Sequence, residues 1–357
     1  MTSKERVLKA LAFEKTDTIP IYDIINNLEV YARYSDAGDI TKSSNVEEVS
    51  AKLYKTLDID ATRGFYNPKW QIGAVEGWKK YVNAPEKGWQ VDYDDSTSWI
   101  SSRPHASLDD IKKAMPKKPD YNVVEKDFID AFMYRRNFFD PEGVMIMPSV
   151  GGFLDITYRY VEYELFCLGM YTEPDLIEEL LEVFWALQKS YIDTIVINNL
   201  SAVIVYCDDI AFKSSLLFSP KWLETHYFPR LKKLFEPAKA AGVKIIFHSD
   251  GHLHEIMDNL VACNIDGLNP LEKLAGMDIV EVRKKYPRLA LVGGIDCSEL
   301  LSYGSKEQIY KEIERIINSI GNQGGLMLGS SSEVHNGIPA KNAKFMYDTI
   351  RELGAKL

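Results

Sequence analysis

Short apolar runs alternate along this chain with longer segments whose apolar residues recur at helical spacing. The apolar runs occupy residues 18–22, 59–63, 144–147, 202–207, 243–247, 265–269, 289–292 and 325–328. The amphipathic segments between and after them include residues 173–198, 220–241, 252–262, 306–320 and 340–354. Alternation of this kind favours parallel strands joined by helical crossovers. Eight such units predict an α/β fold, a closed (β/α)8 barrel of the TIM type.

One segment, residues 65–136, departs from this alternation. It contains four tryptophans, Trp70, Trp78, Trp89 and Trp99. Polar and apolar residues alternate in residues 89–93 and 96–100, which predicts antiparallel strands, and a helix is expected near residues 123–133. The segment is therefore an insertion after the second strand. It either forms a lid over the barrel mouth or uses its aromatic residues only to seal itself against the barrel. We expect residues 1–357 to form a single domain.

Composition narrows the class of protein. The net charge of -10 and the pI near 5.3 disfavour nucleic acid and anionic membranes as partners, because binding to either requires a concentrated basic surface. No apolar run approaches the roughly 20 residues of a membrane span, and the N-terminus lacks a signal-peptide core. We expect a cytoplasmic metabolic protein. The four cysteines are far apart and predict neither disulfides nor a zinc ribbon.

Two polar clusters follow predicted strands and carry the candidate chemistry. The run at residues 243–247 ends in His248-Ser249-Asp250-Gly251, and the run at 325–328 is followed by a segment that contains Glu333 and His335. The carboxyl ends of barrel strands form one rim, where active sites lie. We therefore expect His248, Asp250 and His335 to be catalytic and to meet at this rim. The alternative for each acid is that it caps a helix.

Other polar residues at predicted strand ends are candidates for substrate binding. They are Asn26, Asn27, Tyr206, Asp208, Asp209, Asn269 and Asp296. The alternative is that some of them only brace loops.

Several motifs together resemble those of the uroporphyrinogen decarboxylase superfamily. In chain order they are residues 4–11 with 17–20, Asp208-Asp209 before Ser219-Pro220, residues 247–251, residues 266–270, residues 293–296 and residues 338–342. The resemblance covers nearly the whole chain, and it implies a TIM-like barrel.

That superfamily hosts two activities, and the residues help to separate them. The true decarboxylase carries an Arg-Gln-Ala-Gly-Arg motif that receives the carboxylates of its porphyrin substrate. The corresponding stretch here, residues 22–29, contains no arginine, and the first one after it is Arg33. The chain is more similar to the corrinoid-dependent methyltransferase branch, whose members act with a partner corrinoid protein.

Within that branch, the members that methylate coenzyme M hold zinc with a His-x-Cys pair and a later cysteine. Here the matching positions are His248 and Asp250, and the later region offers Glu333 and His335. The resemblance therefore implies a zinc site of His248, Glu333 and His335, harder than a thiolate site and suited to an oxygen-bearing methyl donor. It implies a methyltransferase that cleaves a methyl ether, such as a methoxylated aromatic, and passes the methyl group to cob(I)alamin on the partner protein.

Two other activities stay open: methyl transfer from methylcobalamin to a thiol, and decarboxylation. If zinc is absent, the same groups would protonate the leaving oxygen directly. By analogy with relatives, the chain is also a candidate homodimer.

Overall fold

The computed structural model describes residues 1–356 and contains twelve short strands. The strands are β1 (Ile25–Asn26), β2 (Ala61–Thr62), β3 (Gln90–Tyr93), β4 (Ser98–Ser102), β5 (Met145–Ile146), β6 (Ser149–Gly151), β7 (Val203–Cys207), β8 (Lys244–His248), β9 (Gly267–Asn269), β10 (Ala290–Ile295), β11 (Leu326–Ser330) and β12 (Val334–His335).

The same residues contain sixteen α-helical segments. They are α1 (Ser3–Leu11), α2 (Leu28–Tyr34), α3 (Val46–Thr56), α4 (Trp70–Tyr81), α5 (Leu108–Lys113), α6 (Tyr121–Phe139), α7 (Phe153–Val161), α8 (Tyr163–Thr172), α9 (Pro174–Ile197), α10 (Pro220–Trp222), α11 (Phe228–Ala240), α12 (Met257–Ala262), α13 (Ile279–Lys285), α14 (Leu300–Tyr303), α15 (Lys306–Ile320) and α16 (Ala340–Gly354). A π-helical turn, Leu223–Tyr227, joins α10 to α11.

The parallel strand pairings follow one another around a ring. Strands β6 to β11 form one six-stranded sheet in sequence order, and β5, which lies just before β6 in the chain, pairs with β2. Two single bridges complete the circuit, because Ile21 pairs with Leu328 of β11 and Tyr22 pairs with Ala61 of β2. The predicted (β/α)8 barrel is confirmed, with residues 21–22 as its first strand and β5 with β6 as its third.

Alternate residues of a barrel strand face opposite sides, and the buried side chains divide accordingly. Val203 and Val205 of β7 pack in the barrel interior, whereas Ile204 and Tyr206 pack in the layer between strands and helices. Helix α1 closes the amino-terminal end of the interior, where Val7 packs in the inner cluster. The opposite end, where the strands finish, is left for the polar side chains.

Glycine is required where the first barrel strand meets the last. A Cβ on Gly329 would lie 1.8 Å from the carbonyl oxygen of Tyr22. The backbones of these two strands therefore approach each other too closely for any side chain at this position.

A buried carboxylate joins both ends of the chain to the barrel. Asp60, just before β2, is paired with Arg6 of α1 and with Arg351 of α16. Its Oδ2 also accepts a hydrogen bond from the backbone N–H of Ile21 at 2.8 Å. Since a buried charge is costly unless it is fully paired, removal of either arginine would weaken the attachment of a terminal helix.

The insertion at residues 65–136 contains α4, the antiparallel pair β3 and β4, α5 and most of α6. Trp78 is buried and packs against Trp89 and against Tyr160 of α7. Trp70 and Trp99, in contrast, are 42% and 48% exposed. Trp78 thus anchors the insertion, whereas Trp70 and Trp99 form part of its exposed surface.

Two predicted helices have different bounds in the structure. The helix expected at 123–133 is longer and spans Tyr121–Phe139. The helix expected from residue 252 begins only at Met257, because His252 is held by other loops: its N–H donates to the carbonyl of Phe212, and its Nδ1 lies 2.8 Å from the carbonyl oxygen of Ala275. Among residues 1–356, no helix combines the length and hydropathy of a membrane span.

Candidate active site

A cavity of about 1340 Å³ lies at the carboxyl ends of the barrel strands, between the barrel and the insertion. The tip of the β3–β4 hairpin forms part of its wall, since Asp94, Asp95 and Thr97 line it. The hairpin is tied to the barrel there. Asn26 donates from Nδ2 to the carbonyl of Ser96 at 2.6 Å.

His248 is the last residue of β8, and it faces the interior because it alternates with the outward-facing Phe247. Its Nδ1 lies 2.6 Å from Oδ1 of Asn269, while Nδ2 of Asn269 donates to the carbonyl oxygen of Val292 at 3.1 Å. This second bond fixes the amide so that its oxygen faces His248, and Nδ1 must therefore carry the proton. Burial and the nearby Arg63 lower the pKa of His248. The result is a neutral imidazole whose lone pair is on Nε2.

Two carboxylates lie beside this nitrogen. Asp209, Asp250 and His248 each offer an atom within 4.8 Å of the other two. The N–H of Asp250 donates to Oδ1 of Asp209 at 3.2 Å, while Oδ1 of Asp250 is buried and has no hydrogen-bond partner within the described residues 1–356. Burial, then the nearby Asp209 and Glu272, raise the pKa of the Asp250 carboxyl. The two acids are held together by the fold at a cost in electrostatic free energy.

The turn after β8 sets the position of Asp250. Gly251 has a φ of +91°, and a Cβ there would lie 2.5 Å from the carbonyl oxygen of Phe212. Its N–H donates to Oε2 of Glu272 at 2.6 Å. Glycine at this position is therefore a requirement of the turn that follows His248 and Asp250.

Arg63, the residue after β2, places a guanidinium next to the same group. Its NH2 nitrogen lies 3.2 Å from Nε2 of His248. Because Nδ1 of His248 already carries the imidazole proton, Nε2 accepts this hydrogen bond. The Nε of Arg63 is buried and has no partner among residues 1–356.

The donor set of His248, Asp209 and Asp250 fits a divalent metal ion. It offers one imidazole nitrogen and two carboxylate groups, which are ligands that Zn²⁺ accepts. Oδ1 of Asp250 is a buried acceptor that no donor in the described part of the chain satisfies and that a cation would satisfy. Asn269 also orients the imidazole for metal binding, because it holds the other ring nitrogen, Nδ1, by a hydrogen bond.

The predicted zinc ligands only partly coincide with this set. Glu333 lines the same cavity as His248, and burial raises its pKa. His335 lies in β12, which pairs with β1, and its Nδ1 accepts from the N–H of Gly337 at 3.1 Å. Among residues 1–356, the potential ligand atoms that lie within 4.8 Å of one another belong to His248, Asp209 and Asp250, and this group does not include Glu333 or His335.

Of the predicted substrate-binding residues, Asn26 and Asp209 line the cavity. Asn269 instead acts through His248. Tyr206 faces the helices, because it alternates with the inward-facing Val205 and Cys207, and its hydroxyl accepts from the N–H of Phe153 at 2.9 Å.

Three other candidates are engaged in structural hydrogen bonds away from the cavity lining. Asp208 accepts from the N–H of Asp155 at 2.7 Å and from the Tyr227 hydroxyl at 2.9 Å. Asn27 caps α2 and donates to the carbonyls of His335 and Ile338. Asp296 accepts from the N–H groups of Glu299 and Leu300, which begin α14. In the structure all three side chains stabilise loops or helix ends, as the alternative interpretation of these residues stated.

Sequence reasoning missed several cavity residues. Arg63, Arg159, Cys207 and Gln188 line it without having been candidates. Arg63 could have been predicted, because it is the charged last residue of the apolar run at 59–63 and therefore lies at the end of a predicted strand. The other three lie within a strand or within helices, where the sequence shows no local polar cluster.

The match to a family model settles the family. The model described as "Uroporphyrinogen decarboxylase (URO-D)" matches residues 2–353. The chain belongs to the uroporphyrinogen decarboxylase family. This confirms the resemblance drawn from the motifs.

Two curated relatives are named uroporphyrinogen decarboxylase. The one from Anaeromyxobacter sp. (strain Fw109-5) is 27% identical over 143 residues, which are 38% of this chain and 37% of the relative. The one from Alkalilimnicola ehrlichii (strain ATCC BAA-1101 / DSM 17681 / MLHE-1) is 23% identical over 195 residues, 52% of this chain and 50% of the relative. This member of the family thus spans half or less of the length of each relative.

A solved structure resembles the whole chain. The methyltransferase from Methanosarcina mazei superposes with a TM-score of 0.70 and 20% sequence identity, covering 99% of both chains. At that identity the likeness supports the fold of this uroporphyrinogen decarboxylase family member, in agreement with the ring of parallel strands.

Proposed function

We propose that this protein is a methyltransferase that takes a methyl group from an ether oxygen, such as that of a methoxylated aromatic, and passes it to cob(I)alamin on a separate corrinoid protein. The observation that carries the proposal is the charge of the cavity wall. Its carboxyl groups belong to Glu47, Glu76, Asp94, Asp95, Asp127, Asp155, Asp209, Asp250 and Glu333, and its basic groups to Arg63, Lys69, Lys80, Arg135 and Arg159.

A wall with more carboxyl than basic groups disfavours a polyanionic substrate. Some of the basic groups are already engaged: Arg159 pairs with Asp155 at 2.5 Å and lies 3.6 Å from Asp209. Arg33, the first arginine after the expected decarboxylase motif position, pairs with Glu29 on the surface. A porphyrin with many carboxylates would meet few free cations here, whereas a neutral ether meets no such repulsion.

The size and lining of the cavity support a flat substrate. Its volume of about 1340 Å³ exceeds the roughly 300–1,000 Å³ of ordinary small-molecule pockets. Tyr66, Trp70 and Tyr93 contribute aromatic surface to the wall. There is room for an aromatic ring together with part of a second large reactant.

The difficult step in ether cleavage is the departure of an alkoxide or phenoxide. A zinc ion held by His248, Asp209 and Asp250 would supply Lewis-acid stabilisation of that oxygen. The residues of this chain orient the site, because Asn269 holds the His248 imidazole in place through Nδ1. The strong nucleophile belongs to the corrinoid.

The insertion at residues 65–136 serves as the lid of this site in our proposal. Its support is the hydrogen bond from Asn26 of β1 to the carbonyl of Ser96, which holds the hairpin tip at the barrel, while the Tyr66 hydroxyl braces the tip within the insertion by donating to the carbonyl of Asp95 at 3.1 Å. A lid would exclude water during transfer, which protects a reduced corrinoid and strengthens the electrostatic interactions inside.

The second candidate is a decarboxylase, which the names of the two curated relatives favour. Thiol methylation has less support. Cys207 lines the cavity, but burial raises its pKa, so that the thiolate needed as a zinc ligand is disfavoured.

The test mixes the protein with reduced corrinoid and methoxybenzenes and follows the absorbance of cob(I)alamin. Formation of methylcobalamin is expected with the wild type and is lost in His248→Ala. His335→Ala is the matched control, since it removes an imidazole outside the donor set and should retain both activity and zinc. Release of carbon dioxide from a carboxylated substrate without corrinoid would instead establish the decarboxylase.

A further inference from the structure

The hydrogen bonds around His248 leave it a single acceptor site. Nδ1 is protonated because Asn269 presents its oxygen at 2.6 Å, and Asn269 cannot turn over without losing its bond to Val292. A neutral imidazole has one lone pair in the ring plane, and here that lone pair is on Nε2. The same lone pair receives the N–H of Arg63 at 3.2 Å.

We propose that Arg63 and a divalent cation compete for Nε2 of His248, so that Arg63 sets the affinity of the site for metal. One lone pair cannot accept a hydrogen bond and bind a metal ion at once. Binding of the cation through His248 therefore requires the Arg63 guanidinium to leave. This inference rests on the metal-binding part of the proposed function and is independent of the methyl donor.

The cavity offers space for the displaced Arg63 side chain. Arg63 lines the cavity, and its buried Nε makes no hydrogen bond with any atom of residues 1–356 that a movement would break. Glu333 lines the same cavity and interacts electrostatically with Arg63. We therefore expect the displaced guanidinium to move toward Glu333. In the metal-free protein, Arg63 then acts as the resident positive charge beside Asp209 and Asp250.

Electrostatic repulsion between the Arg63 guanidinium and an incoming cation adds to this competition. A guanidinium cannot be deprotonated in the working pH range, so it repels an incoming cation at all accessible pH values. The effect depends on distance, since like charges a few ångströms apart interact far more strongly than charges across the cavity. An arginine elsewhere in the wall should matter much less than Arg63.

The experiment measures the affinity for Zn²⁺ by competition with a chromophoric chelator, using the full chain freed of metal. Arg63→Gln is expected to bind Zn²⁺ about tenfold more tightly than the wild type, a change that corresponds to about 1.4 kcal/mol. Arg135→Gln is the matched control, because Arg135 lines the same cavity but lies over the ring of Phe65, at 5.7 Å from its centroid. It removes the same charge and should change the affinity less than threefold.

Two further variants make the result decisive. His248→Ala should abolish the tight binding in both the wild-type and the Arg63→Gln backgrounds, which ties the effect to Nε2. Arg63→Lys keeps the charge but loses the planar fork, and it should give an intermediate affinity. If circular dichroism shows that Arg63→Gln does not fold, the affinity of Arg63→Lys for Zn²⁺ tests the proposal in its place.

The proposal is overturned if Arg63→Gln binds Zn²⁺ no more tightly than Arg135→Gln, or if neither Arg63 variant binds it at all. These outcomes are separate from the fate of the proposed function. Competition for zinc together with an absence of methyl transfer from any ether would leave this inference standing and remove the proposed activity.

Discussion

The buried amide of Gln188 gives the sharpest prediction about stability. Gln188 lies in α9 with none of its surface exposed, and neither Oε1 nor Nε2 has a partner among residues 1–356. A buried polar group without a partner costs about 1–3 kcal/mol. Gln188→Met keeps the length of the side chain and removes both groups. We expect the free energy of unfolding to rise by about 2 kcal/mol, the middle of that range.

The corresponding shift in melting temperature follows from chain length. At about 2.1 cal/mol/K per residue, 357 residues give an unfolding entropy of about 0.75 kcal/mol/K. A gain of about 2 kcal/mol then raises Tm by about 3 °C. Differential scanning calorimetry measures the shift, and urea unfolding measures the free energy. Gln323→Met, at an exposed position, is the control and should stay within about 0.5 kcal/mol.

A lower Tm in Gln188→Met would refute this reasoning, because it would mean that the amide makes favourable interactions in the folded protein. The position also bears on function. Gln188 is among the residues that surround the candidate active-site cavity, although its side chain has no accessible surface. A gain in stability accompanied by weaker binding of a ligand would indicate that this unpaired amide is retained for recognition.

Three further predictions concern single residues. Burial raises the pKa of Asp23 to about 6, so its contribution to stability should fall as the pH rises from about 4 to about 6, by on the order of 3 kcal/mol. Asp23→Asn should remove this part of the pH dependence in urea unfolding and leave the part due to other buried carboxyls such as Asp250, and an unchanged slope would contradict the assignment. Asn269→Ala frees the His248 tautomer and should weaken Zn²⁺ binding by roughly 10–100-fold in the chelator assay; unaltered affinity would argue against the orienting role. Gly251→Ala forces a Cβ to 2.5 Å from the carbonyl oxygen of Phe212 and should destabilise the protein by more than about 1 kcal/mol in urea unfolding, whereas wild-type stability would show that the turn adapts.

The sequence alone was sufficient to predict the barrel and the end of the strand that carries His248. Strand β8 was recognisable because an apolar run of strand length ends in a polar turn, and His248 and Asp250 indeed lie at the rim of the cavity. Helix α15 was predicted with its observed bounds, since its apolar residues keep one face over its whole length. These features depend on local patterns, which a single sequence displays.

The side on which a buried strand residue lies was not predictable in the same way. Strands of a parallel barrel are covered on both faces, so their residues are apolar throughout and carry no alternation. Tyr206 and Cys207 could therefore not be assigned to a face, and the tyrosine is the one that points to the helices. Arg63 was missed for another reason. Its partner His248 is 185 positions away, and only the closure of the ring makes them neighbours.

The pairing of Ile21 with Leu328 has a consequence for how the protein is made. The strand that begins the barrel has its last partner near the end of the chain, so the ribosome must add more than 300 residues between them. Throughout that interval the nascent polypeptide carries an open sheet edge, which is a hazard for association with other chains. The ring of strands can therefore close only after Leu328 has been synthesised and has left the ribosome, and we expect the yield in cells to depend on protection by chaperones until then.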